Sequence, residues 1–191
     1  MNYISGMKFR YSLEWLINRI NKKEKVKYLF FWGHTPAKDG STTQSCLSQW
    51  WVAPFTVDGV RYATAEHWMM AKKALLFGDK EIIPEILAAS SPAKAKKLGR
   101  QVKGFNEHIW KAECYGIVCE GNYHKFAQHP ELKEFLLNTG DKVLVEASPV
   151  DTIWGIGMAK DHSHATNPRL WKGKNLLGFA LMEAREVLNE K

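Results

Sequence analysis

Thr64-Ala65-Glu66-His67-Trp68-Met69-Met70-Ala71-Lys72-Lys73-Ala74-Leu75-Leu76-Phe77 reads as one helix, and the rest of the chain is organised around it. Thr64 is a candidate N-cap, and Gly78 supplies a stop. Glu66 falls in the first turn, where the helix dipole favours an ionised carboxylate. Residues 66, 70, 73 and 77 recur at i, i+4, i+7 and i+11, so they share a face. Glu66 and Lys73 stand two turns apart, roughly 10 Å along the axis. That is too far for an easy salt bridge but well placed to hold two ends of one polar ligand. The plainer alternative is an amphipathic helix with its charges on the wet side.

Immediately upstream, Pro54 to Tyr62 carries a hairpin signal, because Asp58-Gly59 suits a two-residue type I′ turn between β-rich arms. Before it, Lys27 to Gly33 is an aromatic-rich strand candidate, and His34 to Ser45 has loop composition. Downstream, Glu81–Ala89 reads as helix, and Ser91-Pro92 opens another that carries Lys94, Lys96, Lys97 and Arg100, with Lys103 just beyond. That basic run is either a solvated face or a landing surface for a phosphate backbone. Asn106 can cap a long helix towards Phe126, with Gly116 and Gly121 weakening its continuity. Pro130–Leu137 gives a short helix, and Lys142–Glu146 a short strand. A final helix from about Asn175 to Glu190 has Leu177, Ala180, Leu181, Ala184, Val187 and Leu188 on its core stripe.

Two glycine-bearing stretches suggest ligand contact. In Asp151-Thr152-Ile153-Trp154-Gly155-Ile156-Gly157, Gly155 and Gly157 would let backbone N–H groups approach a phosphate, beside the stacking face of Trp154. Trp171-Lys172-Gly173-Lys174-Asn175 joins lysines and a glycine to a helix N-terminus, a ready anion site. His162-Ser163-His164 has no third ligand at recognisable spacing, so no metal is expected there. His67 reads as a hydrogen-bonded, partly buried imidazole rather than a base.

Chain length and charge bound the rest. The 191 residues suffice for one domain with a real core, and residues 1–27 look separable as an accessory helical segment ahead of a domain over 28–191. That segment's apolar residues are Leu13, Leu16, Ile17 and Ile20, on a face too short to favour a membrane surface. No apolar run is long enough to span a bilayer, and the N-terminus lacks a secretory pattern. Three cysteines without a CxxC fit a reducing, cytoplasmic setting rather than a disulfide framework. A net charge of +7 favours anionic partners, and eight tryptophans can serve as core or as stacking platforms.

Taken together, five fragments in this order resemble the YbiA-like, or NADAR, domain. They are Tyr62-Ala63-Thr64-Ala65-Glu66-His67-Trp68 through Lys73; Ser91-Pro92 with Leu98-Gly99-Arg100; Glu146-Ala147-Ser148-Pro149 with Asp151; Trp154-Gly155-Ile156-Gly157; and Gly173-Lys174-Asn175-Leu176-Leu177-Gly178. The resemblance covers roughly residues 28–189. It implies a mainly helical α+β fold with a small hairpin or sheet, and an N-glycosidase acting on ribose phosphates without metal or redox cofactor. It implies two kinds of substrate: ADP-ribose attached to guanine, including in DNA, and ribosylamino-pyrimidine phosphates of early riboflavin synthesis. By the match, Glu66 is the carboxylate at the reaction centre, and Lys73, Asp151 and Trp154 line the pocket. The chain departs from the family at Leu47-Ser48-Gln49-Trp50, where Asn usually stands in place of Gln49; Gln keeps the amide and adds a methylene.

Cleavage of a ribosyl C1′–N bond passes through an oxocarbenium-like state, which calls for negative charge near C1′ and a proton for the departing base. Glu66 suits the first task and Asp151 is a second carboxylate. Lys73 and the Gly155–Gly157 amides would hold phosphate, and Trp154 with Trp32 would stack on base or ribose. A module that binds ADP-ribose or nucleic acid without chemistry, and a structural adaptor using the basic helix, are the alternatives. Oligomeric state is not written in the sequence.

Overall fold

The central helix forms where its caps dictate. In the computed structural model, which describes residues 8–190, Thr64 Oγ1 caps the first turn through the His67 amide and α2 runs over Ala65–Leu76. Phe77 is its C-cap and Gly78 turns the chain at φ 73°. The helix is not amphipathic in the expected sense. Ala65 through Ala71 and Ala74 are all buried, charged residues included. Trp68 at its centre is fully buried, and a Cβ at Gly121 would come within 2.4 Å of the Trp68 ring. That close approach explains why glycine sits inside α5 (Glu107–Ala127), which runs unbroken for 21 residues instead of yielding at Gly116 or Gly121.

The strands are few and short. β1 (Tyr28–Phe31) pairs in parallel with β4 (Val143–Glu146), in the register Tyr28↔Val143 to Phe31↔Glu146. β2 (Phe55–Val57) and β3 (Val60–Tyr62) form the expected hairpin, with both turn residues in the left-handed region (Asp58 φ 49°, Gly59 φ 79°). Helices α3 (Ile83–Leu87) and α4 (Pro92–Gly99) follow α2, with Ser91 Oγ accepting from the Lys94 amide as the N-cap. α6 (Pro130–Leu137) precedes β4, and α7 (Leu176–Asn189) packs on α5 and β4. Gly178 permits that last contact, since a Cβ there would lie 2.1 Å from the Leu144 carbonyl oxygen. The architecture is a mainly helical α+β domain around one core.

Within the expected accessory segment 1–27, residues 1–7 lie outside the described residues. The remainder forms α1 (Leu13–Asn21), capped by Ser12, and Leu16 is fully buried in the same core as β4 and α7. Ile20 and Leu13 pack against it at the margin. Among the described residues, no helix is long and apolar enough to cross a membrane. All three cysteines are free and buried, Cys114 and Cys119 on α5.

Candidate functional site

The parallel pair β1–β4 ends in the same direction at Phe31 and Glu146, and the chain leaving those ends builds one wall of a cleft of about 510 Å³. Ligand sites commonly form outside the carboxyl ends of parallel strands, where the chains diverge. Trp32 and Gly33 continue from β1; Glu146, Ser148, Asp151 and Trp154 continue from β4. The opposite wall comes from α2 and α4: Glu66, Met70 and Lys73 project from one, Lys96 and Arg100 from the other. Gln49 and Trp50 enter from the turn that precedes the hairpin, and Trp110 from α5.

Six of the residues expected at the site therefore meet here: Glu66, Lys73, Asp151, Trp154, Trp32 and Gln49. Asn175, Gly155 and Gly157 do not line the cleft, and the reason is hydrogen bonding already spent. Ile156 N donates to Glu146 O and Gly157 N to Asp151 O, while Gly155 O accepts from Asn175 N, so these backbone groups are occupied within the protein. The α7 entrance is equally closed, because the amides of Lys172, Lys174, Asn175, Leu176 and Leu177 all donate to carbonyls of residues 152–156. Asn175 Oδ1 accepts from Glu146 N at 2.9 Å and its Nδ2 donates to Leu144 O at 2.9 Å. Asn175 thus ties α7 to β4 and fixes the strand end that bears Glu146. The glycines serve close packing: a Cβ on Gly155 would lie 2.9 Å from Glu146 O, and one on Gly173 would lie 2.2 Å from Gly155 O.

The carboxyls behave differently from the sequence expectation. Glu66 is 2% exposed, its Oε1 has no hydrogen-bond partner among the described residues, and burial pushes its pKa from 4.5 to about 7. Lys96, a hydrogen bond from Trp50 and Arg100 oppose that rise, while the charge of Asp151 adds to it. The displacement corresponds to roughly 3 kcal/mol, against about 0.3–1 kcal/mol for a carboxylate at a helix N-terminus. Burial wins, so the first-turn position does not hold Glu66 in the ordinary carboxylate range. Glu146, absent from the sequence candidates, is the second such group: Oε2 is buried without a partner, and burial lifts its pKa to about 8, helped by the charges of Asp151 and Glu66 and opposed by Lys96. Two signals could have flagged it: its place in the family-like fragment Glu146-Ala147-Ser148-Pro149 and its position at the end of a parallel strand. Asp151 Oδ1 accepts from the amides of Ile153 and Trp154, both at 2.8 Å, which fixes its carboxyl at the wall.

The cations divide into two groups. Lys73 Nζ donates to Gly99 O at 2.8 Å and lies 4.3 Å from the centre of the Phe105 ring, and burial, with Arg100, lowers its pKa. Lys96 lies 5.9 Å from the Trp50 ring centre. Lys103 belongs to neither the cleft nor a free basic face, since its amide donates to Asp79 and its Nζ pairs with Glu81 at 3.0 Å. His67 is structural: Nε2 donates to Ala89 O at 3.0 Å, which leaves Nδ1 to accept from Thr64 Oγ1 at 2.8 Å.

A helical α+β domain whose buried carboxyls share an indole-walled, cation-edged cleft defines the class. A model of the NADAR domain matches residues 30–189, and the chain belongs to the NADAR family. N-glycosidase R617 of Acanthamoeba polyphaga mimivirus is 44% identical over 168 residues, covering 85% of this chain and 97% of that one. N-glycosidase YbiA of Escherichia coli K12 is 36% identical over 135 residues, covering 71% and 76%. The NMR structure of E. coli YbiA matches with a TM-score of 0.68 at 32% identity, over 86% of each chain. The family resemblance seen in the sequence is thereby confirmed.

Proposed function

We propose that the protein hydrolyses the ribosyl C1′–N bond of a phosphorylated ribosyl compound, with ADP-ribose attached to guanine, as a nucleotide or in DNA, as the favoured substrate. The class, an N-glycosyl hydrolase, rests on membership of the family and on the names of its relatives. The observation that carries the rest is the convergence of Glu66, Glu146 and Asp151 with Trp32, Trp50 and Trp154 in one cleft. A carboxyl poised near neutrality can release its proton to the departing base just as positive charge builds at C1′, and the carboxylate left behind stabilises that charge. Glu66 is the group at the reaction centre, and Glu146 beside it is the reserve acid. Asp151 orients the water that adds hydroxide to C1′; the water's proton restores the acid. Hydrolysis so written consumes water and yields free base and free ribosyl phosphate.

The stacking faces suit a base and a ribose. The preference for a nucleic-acid-linked substrate is supported by α4, which sends Lys96 and Arg100 into the cleft while Lys94 and Lys97 stay exposed along the same helix. The deciding experiment incubates the protein separately with ADP-ribosylated guanine DNA and with the ribosylamino-pyrimidine phosphate, and follows released base by chromatography. Release from the first is expected. Consumption of the pyrimidine compound alone would transfer the assignment to a free metabolite, and binding without release in either arm would reduce the domain to a reader.

A further inference from the structure

Among the described residues, the most deeply buried charged group that the mechanism leaves unused is a lysine. Lys125 on α5 is fully buried, its Nζ donating to Cys46 O at 2.6 Å and to Ser48 O at 2.9 Å. Both acceptors lie in the 3-10 turn Gln44–Leu47 and its C-cap, directly before Gln49 and Trp50. One helical turn earlier on α5, Asn122 Nδ2 donates to Gln49 Oε1 at 3.0 Å. From the other side, the Glu66 amide donates to Gln49 O at 3.1 Å. The segment 46–50 is therefore held at consecutive points between α5 and the first turn of α2. Its exit delivers two groups to the cleft: the Gln49 amide, whose Nε2 is buried without a partner among the described residues, and the Trp50 indole, which lines the cleft with Glu66 and favours the ionised form of its carboxyl.

A buried ammonium is costly, and a leucine or methionine would fill the volume at lower cost. What an apolar side chain cannot do is satisfy two carbonyls of a turn that faces away from the regular ladders. We propose that Lys125 is a positioning residue: its ammonium clamps the Cys46 and Ser48 carbonyls and so sets the direction in which Gln49 and Trp50 meet Glu66. This assignment rests on the cleft being the reacting site. Burial does lower the Lys125 pKa, to about 7, in keeping with the cost of holding a charge there.

The test compares Lys125→Met, Lys125→Gln and Leu188→Ala. Leu188 is a buried core residue about 16 Å along α7 from Leu177 of the cleft, so its truncation destabilises without touching the clamp. Each variant is assayed well below its own melting temperature, and the side-chain amide of Gln49 and the indole N–H of Trp50 are followed by NMR. Lys125→Met is expected to shift both signals and to lower kcat at least tenfold. Lys125→Gln, which retains one donor group, should recover part of that loss, whereas Leu188→Ala should match the wild type in both signals and in rate per folded molecule. Unmoved Gln49 and Trp50 signals in either Lys125 variant would overturn the proposal, as would Leu188→Ala reproducing their effect. If Lys125→Met does not fold, Lys125→Gln decides alone. Because the NMR readout needs no turnover, a wild type that hydrolyses nothing would sink the assigned chemistry and leave the clamp to be judged by its signals.

Discussion

Two regions of this molecule look equally suited to an anion when read as residue types, and the structure treats them oppositely. The entrance to α7 has lysines, glycines and a helix N-terminus, yet its amides are consumed by the carbonyls of residues 152–156 and Asn175 is spent on β4. The cleft between α2 and the end of β4 has fewer such signals, yet among the described residues Glu66 Oε1, Glu146 Oε2 and Gln49 Nε2 are buried and unpartnered there. Buried polar atoms without partners are costly, so a cluster of them is retained where a ligand completes the bonding. A site is thus marked by unmet hydrogen-bonding capacity more than by composition.

Four measurements would break or sharpen that contrast. The largest effect is expected from Glu66→Gln, which should lower kcat by about 10³-fold or more while ribose 5-phosphate binding remains measurable, because the amide keeps the shape and loses the proton. Equal turnover in that variant would remove Glu66 from the reaction centre. Next, Glu146→Gln should cost on the order of 10²-fold in kcat and change stability with a definite sign. Burial raises the folded pKa of Glu146 above the ordinary glutamate value of 4.5, so its contribution is fully present below about pH 4.5 and is lost as pH climbs through about 8. The amide has no such loss. The variant's melting temperature should therefore gain on the wild type with rising pH, by roughly 2–4 °C for each kcal/mol that burial costs the ionised carboxylate, and a parallel pair of pH–stability curves would contradict the burial of that carboxyl.

Smaller again is Trp32→Ala. Trp32 is 60% exposed at the cleft mouth, so its removal should spare the fold and weaken ligand binding about tenfold, in line with one stacked ring. The smallest effect belongs to the saturated region: Lys174→Ala should leave ligand affinity and kcat within about twofold, since surface cations remote from a ligand are screened. A larger loss there would reopen the α7 entrance as a phosphate site.

Local signals carried most of the elements. Thr64, Ser91 and Asn106 cap the helices they were expected to cap, and Asp58-Gly59 makes the expected turn, because caps and tight turns depend on neighbours within a few residues. The family, and with it the α+β fold, was legible from five short fragments taken in order. Where the sequence misled, the error came from contacts made far along the chain. Gly121 looked like a weak point in α5 until Trp68 filled the space above it.

By itself, then, the sequence determined the order of elements, their ends and the presence of a carboxylate on the first turn of the central helix, all set by interactions short in sequence. Only the tertiary structure decided which polar groups are satisfied and which are not. It brought Glu146 beside Glu66 from 80 residues away, closed the α7 amides with the 152–156 loop, and turned Glu66 from a carboxylate expected to be ionised into a buried group whose pKa is raised to about 7. Desolvation and hydrogen-bond completion are properties of the whole packed molecule, and no window of sequence contains them.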